Sequence, residues 1–217
     1  MNKCQVVISE GISQFINGYC SAMLTEVSSA KIILIVANIN VEQRKTLEII
    51  LSIPEVSKNV SGVFYLDDFK KEYGGTFNAA WNICNLISKY TVEAIFFSRF
   101  LYNDVAVFVC CRFPFAMRVQ VGDSYGVVGE TFLGDLAHIS FKKKIRRCLK
   151  AFINFAIFWP AHFLLKLTNH KCSYFLLMPY SVSGSIPRKR IEVTESCFDF
   201  LRWFLSLLHT KFSSERN

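Results

Sequence analysis

The chain has 217 residues, 52% of them hydrophobic and 19% charged, and its 25 Lys and Arg against 17 Asp and Glu give a formal net charge of +8. That composition excludes a disordered chain, which lacks the apolar surface needed to offset its ordering entropy. The length suits one large domain or two small ones, and the 21 phenylalanines raise the question of whether some apolar surface faces lipid or a partner.

In chain order, Gln5 to Ser9 is a short apolar run ending in Ser-Glu-Gly. Ile12, Phe15, Ile16, Tyr19, Cys20, Met23 and Leu24 then recur at helical spacing. Lys31 to Ala37 (KIILIVA) is the continuous aliphatic run of a strand buried on both faces, and Val41 to Leu51 returns to a helical pattern with Glu42, Arg44 and Lys45 outside. A strand is predicted at Gly62 to Leu66, a helix from Thr76 to Lys89, a strand at Glu93 to Ser98, a helix from Asn103 to Cys111 and a strand at Arg118 to Val121. Asp67-Asp68 before Phe69-Lys70-Lys71 reads as solvated loop surface, and Gly74-Gly75-Thr76 lacks the lysine and glycine spacing of a phosphate loop.

Strand and helix alternating over short connections predict right-handed βαβ units. The fold class is therefore α/β, with a Rossmann-like, open, mostly parallel sheet and flanking helices. In such a fold ligands sit beyond the carboxyl ends of the strands, where the loops Ser9-Glu10-Gly11, Ser98-Arg99 and Gly122-Asp123-Ser124-Tyr125-Gly126 fall.

The positive charge is concentrated. No Asp or Glu occurs from Leu136 to Ile191, and eleven Lys and Arg lie between Lys142 and Arg190, so the rest of the chain, with 14 basic and 17 acidic residues, is slightly acidic. Anionic partners follow, a phospholipid surface before nucleic acid, because the cations stand beside an apolar run and are not interleaved with stacking aromatics on a polar face. Phe141 to Lys150 (FKKKIRRCLK) leads into Ala151 to Leu165 (AFINFAIFWPAHFLL). Fifteen helical residues span only about 22 Å, short of the ~30 Å hydrocarbon core. Two readings stand side by side: an interfacial helix with Lys142, Lys143, Lys144, Arg146 and Arg147 at headgroups and Trp159 among acyl chains, or a core-packing helix pair with a solvated basic end. The basic and apolar helical insertion spans 141–167. A last strand at Tyr174 to Met178, a turn-rich linker from Ser181 to Pro187 and a helix from Thr194 to Leu208 follow, dividing the chain into a domain over 1–190 and a terminal helix and tail over 191–217.

The eight cysteines show no CxxC spacing and no histidine at zinc-ligand distance, so no metal site is expected, and they read as small buried hydrophobes of a reducing compartment. Cys4 to Ile8 is too short an apolar run for a secretory signal. A cytoplasmic protein, peripheral at the inner face of a membrane, is the expectation.

Val119 to Glu130 (VQVGDSYGVVGE) is a strand ending in a carboxylate between glycines, suited to a general base or to holding a sugar hydroxyl. Gly-Asp-Ser is also ordinary turn chemistry, and both readings stand on spacing alone. Here the chain resembles the bacterial sialyltransferase and polysialyltransferase-like glycosyltransferases of GT-B architecture, whose amino-terminal domain carries a Gly-Asp-Gly-like element. Gly122, Asp123 and Gly126 look like that element, with Ser124 and Tyr125 standing before the second glycine. VVISEGISQF near the start and YFLLMPYSVSGS near the end are similar in order to that domain.

The resemblance implies Asp123 as catalytic base, with Gly122 and Gly126 beside it; from their strand-end loops Gly11 and Ser124 are further substrate-binding candidates, and Arg99 near a strand end is suited either to an anionic acceptor or to an ordinary ion pair. It also implies a cytidine nucleotide sugar as donor substrate, no other cofactor, and a glycan or glycolipid as acceptor. The family's His-Pro element has no counterpart, because His138, His162, His170 and His209 are followed by Ile, Phe, Lys and Thr. The expectation is thus an acceptor-side domain, incomplete as an enzyme by itself. The alternative is a noncatalytic membrane- or partner-binding module built on 142–150 and the adjacent Phe/Trp helix.

Overall fold

The computed structural model describes residues 2–24, 30–97, 104–121, 140–149, 152, 153, 156, 173–175, 190, 191 and 195–214. Strand β1 (Lys3–Ser9) is followed by α1 (Ile12–Leu24), β2 (Lys31–Val36), α2 (Val41–Leu51), the single turn α3 (Pro54–Ser57) and β3 (Val60–Tyr65). Then come α4 (Leu66–Tyr73), α5 (Thr76–Ile87), β4 (Thr91–Phe97), α6 (Asp104–Arg112) and β5 (Met117–Val121). Residues 141–149 form α7, and the short strands β6 (Ser173–Phe175) and β7 (Arg190–Ile191) precede α8 (Glu195–Ser214).

The strands lie in the order β3-β2-β1-β4-β5-β6-β7, and every pairing is parallel. The five longer strands make an α/β, Rossmann-like sheet in the order 3-2-1-4-5. The chain winds outward from β1 to β3, then crosses back over β1 to begin β4. Parallel pairing needs long crossovers, and the helices that supply them cover both faces.

Strand alternation divides the core in two. Val7, Ile32, Leu34, Val36, Phe96, Val119 and Val121 face α1, α2, α3 and α8, with Phe15, Tyr19, Leu47, Ile50 and Phe204 packed against them. Cys4, Val6, Ile8, Ile33, Ile35, Ile95 and Phe97 face α4, α5 and α6, with Leu66, Ile83, Ile87 and Val109 opposite. This two-sided burial is why KIILIV reads as an unbroken aliphatic run: all but its first residue is buried.

Leu66 to Tyr73 and the start of β3 differ from the sequence reading, and α3 and β7 fall where it places no element. Leu66 to Tyr73, read as strand end and solvated loop, is the helix α4, whose inner edge is the buried Leu66 and the partly buried Phe69. Gly74, at a left-handed φ of 69°, caps its carboxyl end, and Gly75 at φ 95° opens α5. Strand β3 accordingly begins at Val60 and stops at Tyr65.

Candidate site at the carboxyl edge of the sheet

Register places the strand ends on one line. Ser9 pairs with Val36 and Val36 with Tyr65. On the other side Val7 pairs with Phe96 and Phe96 with Val119. Val121, two residues beyond Val119, therefore ends level with Ser9, two residues beyond Val7. The strand order reverses between β1 and β4, and the crevice at such a reversal is where open α/β sheets bind ligands.

The β1 loop is built tightly. Ser9 Oγ donates to Gly11 O at 2.7 Å and accepts from the Gly11 N–H at 3.4 Å. Gly11 is the N-cap of α1, since its carbonyl accepts the first helical bond, from Phe15 N–H at 3.0 Å. Gln14 reaches back to accept from the Glu10 N–H at 2.8 Å. Among the described residues, a Cβ at Gly11 would meet nothing within 4 Å, at a helix N-terminus where N–H groups lack intrahelical partners and the helix dipole favours negative charge.

The neighbouring loop is joined to it. Ala37 N–H donates to Ser9 O at 2.8 Å, and Asn38 Nδ2 donates to Glu10 Oε1 at 3.3 Å. Asn38 adopts φ 55°, a left-handed conformation that asparagine tolerates better than most side chains. Asn40 then caps α2 through a reciprocal pair with Gln43, Asn40 Oδ1 accepting from Gln43 N–H at 2.8 Å and Gln43 Oε1 accepting from Asn40 N–H at 3.1 Å.

At the β3 end the carboxylates are paired. Arg44 holds Asp68 at 2.9 Å and Glu48 at 3.2 Å, and its guanidinium lies 3.9 Å above the Tyr65 ring centroid. Asp67 pairs with Lys70 at 3.0 Å. The Asp-Asp dipeptide is thus balanced by cations, and among the described residues no group of three or more His, Cys, Asp or Glu could hold a metal.

Of the sequence-predicted site residues, Gly11 stands at this edge. Lys142, Lys143, Lys144, Arg146 and Arg147 lie together on α7. Arg99, Gly122, Asp123, Ser124, Gly126 and Trp159 lie outside the described residues. Sequence reasoning missed Asn38, Arg44 and Tyr65. The signal for Asn38 is present in Ala37-Asn38-Ile39-Asn40, a turn-forming run directly after an apolar strand. Cys4, Cys20 and Cys84 are free and buried, and Cys110 is buried as well, all four filling the core as small apolar groups. No helix among the described residues is long and apolar enough to cross a membrane.

Comparison of the chain with family models, curated proteins and solved structures returned no significant match.

Proposed function

We propose that this chain is the acceptor-side, Rossmann-like half of a glycosyltransferase resembling the bacterial sialyl- and polysialyltransferases, with Asp123 as general base. The observation that carries the reading is the shared level of Val121 and Ser9 at the carboxyl edge, with Gly122-Asp123 the next two residues of the sequence. In the sequence that carboxylate stands two positions after Val121, the last residue of β5.

In the reaction, an acceptor hydroxyl gives its proton to the Asp123 carboxylate as its oxygen attacks the anomeric carbon of a nucleotide sugar. The bond from that carbon to the phosphate oxygen breaks, and the nucleotide leaves with the electron pair. Negative charge develops on the departing phosphate and requires cations or helix N-termini. A second, donor-binding domain would supply them, with a cytidine nucleotide sugar as the donor. The acceptor is a cell-surface glycan or glycolipid, and the protein works at the inner face of a membrane.

Saturation-transfer NMR tests the division of labour. The chain should bind members of a glycan panel and show no contact with cytidine nucleotide sugars, and Asp123→Asn should abolish transfer in the presence of a donor domain. Binding of nucleotide sugars but no glycan overturns the assignment.

A further inference from the structure

We infer that α7 docks this protein on an anionic phospholipid bilayer through an apolar stripe lying inside the basic segment itself. Phe141, Ile145 and Leu149 follow one another at i, i+4 and i+8 of α7, and Phe152 is a further helical residue. They are 78%, 53%, 58% and 69% exposed. Such large side chains left in water along one helix face are uncommon in a soluble domain and mark an interaction surface.

At ~100° per residue, Phe141, Ile145, Cys148 and Leu149 fall within an arc of about 100°. Lys142, Lys143, Lys144, Arg146 and Arg147 occupy the remaining circumference, Lys142 next to the edge of the arc, and no acidic residue lies on the helix. The occupant follows from that pairing of apolar arc and unrelieved positive charge. A bilayer with acidic headgroups matches both at once: the stripe enters the acyl boundary while cations on either side, extended on their methylene stems, reach phosphates. A nucleic acid would match the charge and leave the stripe in water. A protein groove would match the stripe, yet five cations on nine residues would demand an equally dense acidic rim.

This inference stands apart from the sugar-transfer reading, because none of these residues belongs to the carboxyl-edge site. The full chain should sediment with vesicles of equal parts phosphatidylcholine and phosphatidylglycerol, and at least about tenfold more weakly with phosphatidylcholine alone. Charge reversal at Arg146 (Arg146→Glu) changes the interaction by two charges and should weaken binding about 25-fold, taking about fivefold per charge. Ile145→Ser and Leu149→Ser keep every charge and should each weaken it about tenfold. Because these side chains are exposed, unchanged circular dichroism is expected and separates lost docking from lost folding. Equal affinity for neutral and anionic vesicles, serine variants that bind as the unaltered chain does, or tighter binding to duplex DNA than to vesicles each overturn the inference. Asp123→Asn leaves vesicle binding intact whether or not transfer occurs, so the two readings fail separately.

Discussion

Gly18 of α1 lies so close to Val7 of β1 that a Cβ built on the glycine would stand 2.6 Å from Val7 Cγ1. Val7 is buried and β-branched, and its methyl has little room to move. The contact fixes how deeply α1 seats on the sheet, and hence where its N-terminus meets the carboxyl edge. Gly18→Ala gains helix propensity of about 0.5–1 kcal/mol but overpacks the interface at a cost of about 1–3 kcal/mol. A net loss of roughly 1 kcal/mol is expected in urea denaturation. Val7→Ala should relieve the overlap, so that the double variant is more stable than the two single losses added together.

Arg44 makes three contacts at once, with Asp68, Glu48 and the face of Tyr65. All are partly exposed, so Arg44→Ala should cost only about 1 kcal/mol. The contacts separate by salt. The coupling between Arg44 and Asp68 in a double-mutant cycle should be about 0.5 kcal/mol and fade towards ~1 M salt, where the Debye length is about 3 Å. The coupling between Arg44 and Tyr65, measured with Tyr65→Leu, should persist. Arg44→Lys should recover the charge interaction but not the planar stacking.

Burial pushes the thiols of Cys4, Cys20 and Cys84 up to about 12 from an ordinary 9.0, with nearby Glu93 adding to the effect at Cys4 and Arg112 opposing it at Cys84. The Tyr19 hydroxyl is also raised, by burial first, against the opposing Asn59 hydrogen bond. A group with a raised folded pKa contributes its full stability below its unfolded pKa and loses it as pH climbs towards the folded one. The folded state therefore keeps three thiol protons that the unfolded chain releases from about pH 9 upward. From these three thiols alone, stability should fall by at most about 4 kcal/mol per pH unit between about pH 9 and pH 12, with Tyr19 adding to the decline. Thermal unfolding followed from about pH 8 to about pH 11 should show that decline, and Cys84→Ala should show a shallower slope.

The elements most legible in the sequence are those whose burial leaves a one-dimensional trace. KIILIV had to be a two-sided strand, and Ile12 to Leu24 shows its helical period because Phe15 and Tyr19 face the sheet while Ser13 and Gln14 do not. Leu66 to Tyr73 was illegible because a two-turn helix lying on the sheet edge needs few apolar residues, and Asp67, Asp68, Lys70 and Lys71 dominate its composition. The start of β3 was hidden in Asn59-Val60-Ser61, whose polar ends resemble a turn. At the candidate site, Ser9-Glu10-Gly11 was legible as a strand-end loop. Its hydrogen bond to Asn38 was not, because that contact joins residues 28 apart and depends on β1 pairing with β2. The strand order, which creates the crevice between β1 and β4, is likewise a property of long-range pairing that no local period carries.

Gly11 offers the sharpest separation of structure from function at this edge. Its φ is not left-handed, and an added Cβ would meet nothing within 4 Å among the described residues, so those residues do not require glycine there. Asparagine is a better N-cap than glycine by a few tenths of a kcal/mol, and Gly11→Asn should leave the melting temperature unchanged or slightly raised. The same side chain would fill the space at the start of α1 that the proposed acceptor occupies. Glycan binding should therefore weaken by about tenfold or more, a loss of about 1.4 kcal/mol, while vesicle binding through α7 stays as it is. Titration of the variant with the best-bound glycan checks both halves. A variant that is stable and binds the glycan as tightly as the unaltered chain would show that the acceptor does not approach the β1 loop.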